Sequence, residues 1–177
     1  MSELGSALVD GAGRKRVVAA MRGQYLKLRL ATMSDCTLLF DWVNDPKVRA
    51  ASFQSERISR DEHLAWFSEK LRCGHVLIYI AEDAGGTPVG QFRVDCTANG
   101  SALLDVTVAP EKRGLRLAEK LIREGIEVAS RERGLRSFDA YIKAENTASW
   151  KAFQKAGFHK AGELPNSTHW RKEVGRG

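Results

Sequence analysis

The residues best placed to do chemistry lie between Leu103 and Ala118, in the run LLDVTVAPEKRGLRLA. An apolar, β-branched segment (Leu103, Leu104, Val106, Val108) reads as a strand that ends at Pro110. A polar turn, Glu111-Lys112-Arg113-Gly114, follows, and then Ala118, Leu121, Ile122, Gly125 and Ala129 recur at helical spacing. A strand that passes through a basic, Gly-containing turn into a helix N-terminus builds an anion site. The unpaired backbone N–H groups and the positive end of the helix dipole converge there. Lys112, Arg113 and Arg116 add positive charge around it. An ordinary strand-to-helix turn with solvated basic side chains has the same local pattern, so the surrounding elements must decide.

Those elements follow in order. Residues 25–30 alternate and read as a first strand. Ser34 is the expected cap of a helix carrying Leu38, Leu39, Trp42 and Val43 on one face, and Asn44-Asp45-Pro46 stops it. Residues 48–58 show no sustained period and read as a loop. Ser59-Arg60-Asp61-Glu62 is a capping box, opening a helix expected to turn Leu64, Phe67 and Leu71 inward with His63 and Trp66 on a neighbouring flank. Residues 75–81, 89–96 and the strand ending at Val108 form an antiparallel meander joined by the turns at Asp83–Gly86 and Ala98–Gly100. After a helix at about 115–133, Ser137–Ile142 reads as a strand reached through a helical crossover, hence parallel to the one before it. Asn146 caps a last helix with Trp150 and Phe153 inward and Gly157 as its stop, and one or two strands run on from Phe158 through Arg171.

The chain of 177 residues fits one domain, expected over 24–177, with a Gly- and Ala-rich flexible tail over 1–23 in which Met21 is an alternative start. Its 43% hydrophobic content is enough for a core, and the net charge of +6 suits an anionic ligand or surface. Cys36, Cys73 and Cys96 have no C-x-x-C spacing, so neither a disulfide framework nor a zinc site is expected, and a reducing cytoplasm is the expected compartment. No run has the length of a membrane span. Basic residues are scattered and no nucleic-acid-binding motif is present, so neither a membrane nor a nucleic acid is an expected partner.

The segment V-x-P-x-x-R-G-x-x-L-A resembles the acetyl-CoA pyrophosphate loop of the GNAT superfamily of N-acetyltransferases, whose pattern is [RQ]-x-x-G-x-[GA]. Arg113 and Ala118 fit its two ends, Gly114 fits the common R-G start, and Arg116 stands where the family usually has Gly. Asn146-x-x-Ser149-x-x-x-Phe153-x-x-x-Gly157-Phe158 resembles a second motif of that family. The element order is that of the GNAT fold too. The resemblance therefore implies an α/β (α+β) domain with a mixed, mostly antiparallel twisted sheet, about four helices, and central strands splayed around acetyl-CoA, with no metal. It implies cofactor contacts from Val106, Val108, Arg113, Gly114, Leu115, Arg116, Leu117, Ala118, Asn146, Ser149 and Phe153.

The reaction implied is direct acetyl transfer to an amine. A free backbone N–H near Val108 would polarise the thioester carbonyl. A base must take the proton of the amine, and the leaving thiolate needs one. Many relatives use a Tyr at the Phe153 position as the acid, and Phe cannot serve. Tyr141 is the substitute candidate, against a reading as strand packing, and Asp105, Glu145 and His63 are candidate bases, each also explicable as structural. Positioning alone, with water as base, stays open.

The acceptor is argued from W-x-N-D-P-x-V-R at 42–49 with Ser52 and from E-H-x-x-W-F at 62–67. These pieces are similar to GNAT enzymes that acetylate UDP-linked 4-amino-4,6-dideoxy sugars in pseudaminic acid biosynthesis. On that resemblance Trp42, Asn44, Arg49, Ser52, His63 and Trp66 are expected to bind a nucleotide sugar, against a reading of both Trp residues as core. The alternatives are an enzyme acetylating a protein N-terminus or an aminoglycoside, and a non-catalytic acyl-CoA sensor. Family habit favours a homodimer.

Overall fold

The computed structural model describes residues 26–175. Tyr25 and the tail expected over 1–23 lie outside the described residues.

Seven strands form one sheet in the order β1-β2-β3-β4-β5-β7-β6. The strands are β1 (Lys27–Leu30), β2 (Val76–Glu82), β3 (Pro88–Cys96), β4 (Ser101–Val108), β5 (Ser137–Lys143), β6 (His159–Leu164) and β7 (Ser167–Glu173). The helices are α1 (Cys36–Val43), α2 (Pro46–Ala51), α3 (Arg60–Arg72), α4 (Leu117–Arg133) and α5 (Thr147–Lys155), five where the sequence suggested about four. β1 to β4 make an antiparallel meander. β4 and β5 are parallel, as a helical crossover requires, and β7 inserts between β5 and β6. Both final strands are therefore present.

Alternation along the strands gives the sheet two apolar faces. On one, Phe92, Val94, Leu104 and Phe138 pack under Leu121, Ile122 and Ile126 of α4 and Phe153 of α5. On the other, Val76, Ile78 and Ile80 pack under Leu39 and Trp42 of α1 and Phe67 of α3. Each fully buried aromatic stabilises the fold by about 1.5–3 kcal/mol. α4 approaches β3 so closely that a Cβ on Gly125 would lie 2.5 Å from the Phe92 ring.

Local chemistry corrects the sequence reading at four places. The first helix is entered through a 3-10 turn at Met33–Asp35 instead of a cap at Ser34. The Asp35 carboxylate accepts from the N–H of Thr32 at 2.8 Å and takes the Arg29 guanidinium through two bonds of 2.8 Å. Residues 46–51, expected as part of a loop, form α2: Asp45 caps it and Pro46 sits in its first turn, so the dipeptide that stops one helix starts the next. On α3 Phe67 turns inward and Leu71 packs half-buried against the core, as expected, but His63 is buried in place of Leu64, which is exposed. α4 begins at Leu117, not Leu115, because Arg116 takes the left-handed conformation at its N-cap. No helix among the described residues is long and apolar enough to cross a membrane.

Candidate active site

β4 and β5 pair over only three positions, Ser101↔Ser137, Ala102↔Phe138 and Leu103↔Asp139, although β4 runs on to Val108 and β5 to Lys143. Beyond Leu103 the two strands part. Asp105, Val106, Thr107 and Val108 line one lip of the resulting cleft, and Ala140, Tyr141 and Ile142 line the other. The Ala109 N–H bonds Val89 of β3. The ladder's alternation therefore turns the N–H groups of Val106 and Val108 away from β3 and into the gap.

The basic turn closes one end of the cleft. Pro110–Lys112 form a 3-10 turn, and Gly114 (φ 80°) and Arg116 (φ 57°) are both left-handed. Alternating hand aims successive N–H groups at one point ahead of the α4 N-terminus, a concavity suited to a phosphate. Arg113, Gly114, Arg116, Leu117 and Ala118 line the cleft, and Leu115 projects outward, 63% exposed. Asn146, Ser149 and Phe153 line its other wall, where the Asn146 Oδ1 caps α5 by accepting from the Ser149 N–H at 3.1 Å. Phe153 is buried edge-on against Phe158. Splayed strands, an N–H-rich loop and a wall of small and apolar side chains fit a pantetheine arm with its diphosphate.

Two of the catalytic candidates line the cleft. Tyr141 is 45% exposed and stacks on His169 with ring centroids 4.8 Å apart. His169 in turn bonds Asp139 through Nε2 at 2.6 Å, and Arg171 Nε donates to the same oxygen at 2.8 Å. Burial pushes the Asp139 carboxyl up, but the bonds from Arg171 and His169 more than offset that and leave it below the usual carboxylate range. Asp105 faces Arg93 Nη2 at 3.3 Å, and the Arg93 guanidinium lies 5.5 Å from the Trp66 ring. Glu145 is exposed in the turn before Asn146 and does not line the cleft.

The acceptor-side candidates divide sharply. Trp66 lines the cleft and stays half-buried. Trp42 is packed in the second core, 4% exposed, and reaches the cleft from there. Asn44 clamps a loop: its Nδ2 donates to the carbonyl of Ile58 at 3.1 Å and its Oδ1 accepts from the Ile58 N–H at 2.9 Å. Arg49 donates to the carbonyls of Val43 (2.6 Å), Gln54 (3.1 Å) and Glu56 (3.3 Å) and to the Ser52 hydroxyl (3.0 Å). Burial lowers the pKa of that guanidinium. Ser52 Oγ donates back to the carbonyl of Val48 at 2.8 Å. His63 is buried between Phe40 and Phe67, its Nε2 lies 3.2 Å from the Cys36 carbonyl, and burial holds its pKa below the ordinary value. Arg93, Gln91 and the exposed ring of Phe53 also line this side and were not singled out from the sequence. Alternation in β3 puts Gln91 and Arg93 on one face, which was the available signal for them; Phe53 sits in a stretch without a period.

The description "Acetyltransferase (GNAT) domain" matches residues 25–159. The Bacillus subtilis protein YwnH, provisionally named a phosphinothricin acetyltransferase, is 26% identical over 149 residues, 79% of this chain and 88% of its own. A spermidine N-acetyltransferase from Vibrio cholerae, solved with CoA and spermine, superposes with a TM-score of 0.78 at 18% identity, over 84% of this chain and 95% of that one. The aminoglycoside acetyltransferase AAC(6')-Ib, solved with coenzyme A, gives 0.73 at 19%, over 84% and 95%. At these identities the solved structures speak for the fold. The family match spans most of the chain and falls on the cleft and loop just described: this protein belongs to the GNAT family and is an acetyl-CoA-dependent N-acetyltransferase.

Proposed function

We propose that this enzyme transfers the acetyl group directly to the 4-amino group of a nucleotide-linked 4-amino-4,6-dideoxy sugar. One observation carries the reading. The cleft, about 1590 Å³, continues from the diphosphate loop into a bay where flat aromatic faces stand beside cations. A site for a single drug-sized ligand takes about 300–1,000 Å³, so the cleft has room for a second large molecule besides the cofactor. Trp66 backed by Arg93, with Phe53 and Tyr141 in the same lining, suits a sugar or base with an attached diphosphate.

Acetyl-CoA supplies an acyl group activated as a thioester. The N–H groups of Val106 and Val108 receive its carbonyl oxygen. Asp105, at the lip of the gap, holds the ammonium of the acceptor and takes its proton. Tyr141 gives its proton to the departing thiolate and regains one from the second proton the amine nitrogen sheds as the intermediate collapses, a role that Phe153 cannot fill. Glu145, held outside the cleft, acts only on the field at the α5 N-terminus.

A second reading, a small amino acid as acceptor, draws support from the likeness to YwnH along most of that protein's length. Free-thiol release from acetyl-CoA separates the readings. The acceptors are a UDP-4-amino-4,6-dideoxy sugar, phosphinothricin, an aminoglycoside, spermidine and a ribosomal-protein N-terminal peptide. Release with the sugar nucleotide at a kcat/KM at least about tenfold above the others is expected. Preference for any other acceptor, or binding of acetyl-CoA with release under none of the five, refutes the sugar reading.

A further inference from the structure

Helix α2 has no buried residue, so removal of apolar surface from water does not hold it in place. Polar ties do. At its N-terminus one carboxylate oxygen, Asp45 Oδ1, accepts from the N–H groups of Lys47 (3.0 Å) and Val48 (3.2 Å) and from Nη2 of Arg113 (2.6 Å). At its other end the carbonyl of Ala50 accepts from Nζ of Lys143 at 2.8 Å. Arg113 belongs to the loop that follows β4, and Lys143 is the last residue of β5. The helix is therefore fastened to both arms of the splayed pair, across the open end of the cleft.

The Asp45–Arg113 pair is itself sheltered, with side chains 17% and 29% exposed. The bond from Arg113 holds the Asp45 carboxyl below the usual carboxylate range, so the pair stays charged at neutral pH. Among the described residues, Nη2 is the Arg113 nitrogen that makes a hydrogen bond. A guanidinium has five donors in a rigid fork, so Nε and Nη1 remain to meet a phosphate oxygen while Nη2 stays on Asp45.

We propose that Asp45 is a positioning residue that couples the two halves of the site: it aims Arg113 at the diphosphate of acetyl-CoA and, through the same oxygen, sets the helix α2 that lines the acceptor side. Cofactor binding fixes Arg113, and α2 then leaves its place only by breaking a bond to an immobilised partner. Acetyl-CoA thus orders residues 46–58 before the acceptor arrives. The proposal rests on the loop holding the cofactor diphosphate, which a CoA titration reads separately.

Hydrogen exchange on the full chain, with and without saturating CoA, tests it. In the wild type CoA slows exchange of the amides of residues 46–58 by at least about threefold. Asp45→Ser keeps a capping hydroxyl but is too short to reach Arg113. It weakens CoA binding by about three- to tenfold and abolishes the CoA-dependent slowing even at saturation. Arg113→Gln leaves the α2 cap intact, breaks the pair from the other side, and loses the same slowing. Lys143→Met speeds exchange of this segment with and without CoA and leaves the Kd for CoA within about twofold, because it frees only the far end of the helix. Full CoA-dependent slowing in Asp45→Ser or Arg113→Gln overturns the coupling, as does a wild type that binds CoA with no slowing. A wild type that binds no CoA overturns the loop reading and the proposal with it.

Discussion

Arg116 is the residue with which this loop departs from its family pattern, and its backbone makes the consequence calculable. It sits at φ 57°, ψ 24°, and it is the one non-glycine among the described residues with positive φ. An L side chain there brings Cβ against the following carbonyl at a cost of about 1–2 kcal/mol. Glycine removes that crowding but widens the unfolded ensemble, which returns about 0.5–1 kcal/mol. Arg116→Gly is therefore expected to be more stable than Arg116→Ala by about 0.5–1 kcal/mol, a Tm difference of about 1–4 °C for a chain of this size. Arg116→Ala keeps the strain and loses only an exposed side chain, so it stays within about 0.5 kcal/mol of the wild type. Arg116→Val falls below all three, because a branched Cβ crowds the carbonyl further. Cofactor affinity follows a different order. An exposed cation near a bound anion and a helix N-terminus contributes about 0.3–1 kcal/mol, so both the Gly and the Ala variants weaken CoA binding by about two- to fivefold. Thermal melts and calorimetric CoA titrations on the four proteins measure both orders. Ala above Gly in Tm, or Val tolerated, refutes the left-handed assignment. Equal Kd throughout refutes a role for the guanidinium in anion binding.

Gly125→Ala tests the contact that seats α4, the helix at whose N-terminus the loop lies. Helix propensity alone favours Ala by about 1 kcal/mol, but the new Cβ meets the fully buried Phe92 ring at 2.5 Å, and overpacking of that kind costs about 3 kcal/mol. The clash wins, and a Tm loss of about 4–8 °C is expected; a gain would show that Phe92 moves freely. Asp35→Asn removes a carboxylate that Arg29 holds below its usual pKa, with burial acting the other way. Stability from a lowered carboxylate is complete above the unfolded-state value of about 4 and is lost as pH falls through the folded-state value. Urea unfolding should find the variant less stable by about 2 kcal/mol at pH 7, with one-third of the Arg29 side chain exposed already allowed for, and the gap narrowing steadily as pH falls below about 4. An undiminished gap at pH 3 counts against the ion pair. Tyr141→Phe should lower kcat at least about tenfold while KM for both substrates holds within about threefold, since the ring and its stacking on His169 remain. Unchanged kcat removes Tyr141 from proton transfer.

Where one physical signal acted alone, the elements were legible. The meander β2–β4 shows as three apolar segments parted by turns, β2 being a continuous buried run, and the Ser59/Glu62 box and the Asn146 cap sit where their side chains bond the helix termini. The parallel pairing of β4 with β5 followed from the helical crossover between them. Competing signals hid the rest. At 44–46 the Asn-Asp-Pro run served two helices at once, because Asp45 is as good a cap as Pro46 is a breaker. On α3 the stripe through Leu64, Phe67 and Leu71 looked inward by hydrophobicity, but the helix is rotated to bury His63 with Phe67 and leave Leu64 outside. A histidine whose Nε2 meets the Cys36 carbonyl and whose faces meet aromatic rings is satisfied in a core, and hydrophobicity scales do not register that.

The acceptor motif shows why a site is harder to read than a fold. Asn44, Arg49 and Ser52 are the residue types a sugar nucleotide would want, and each is spent on the chain itself. Arg49 alone bonds three carbonyls over residues 43–56, work that otherwise falls to secondary structure and that a stretch without a period cannot supply. Polar residues beside a cleft are therefore of two kinds, those that build the wall and those that face the substrate. Spacing cannot tell them apart, since both must sit at fixed offsets. What separates them is whether the donors are already used. By that test Trp66 and Tyr141 keep faces toward the cleft, Arg93 and Asp105 pair with each other on its lining, and Asn44, Arg49 and Ser52 set the shape into which an acceptor must fit. Substitution on the two sets should then part in kind: Arg49→Lys loosens the 52–58 segment and raises KM for acceptors of every class alike, because an ammonium cannot reproduce the fork that holds three carbonyls. Arg93→Lys shifts preference among acceptors while leaving exchange of that segment unchanged. Acceptor selectivity that follows Arg49 instead of Arg93 would reverse the assignment.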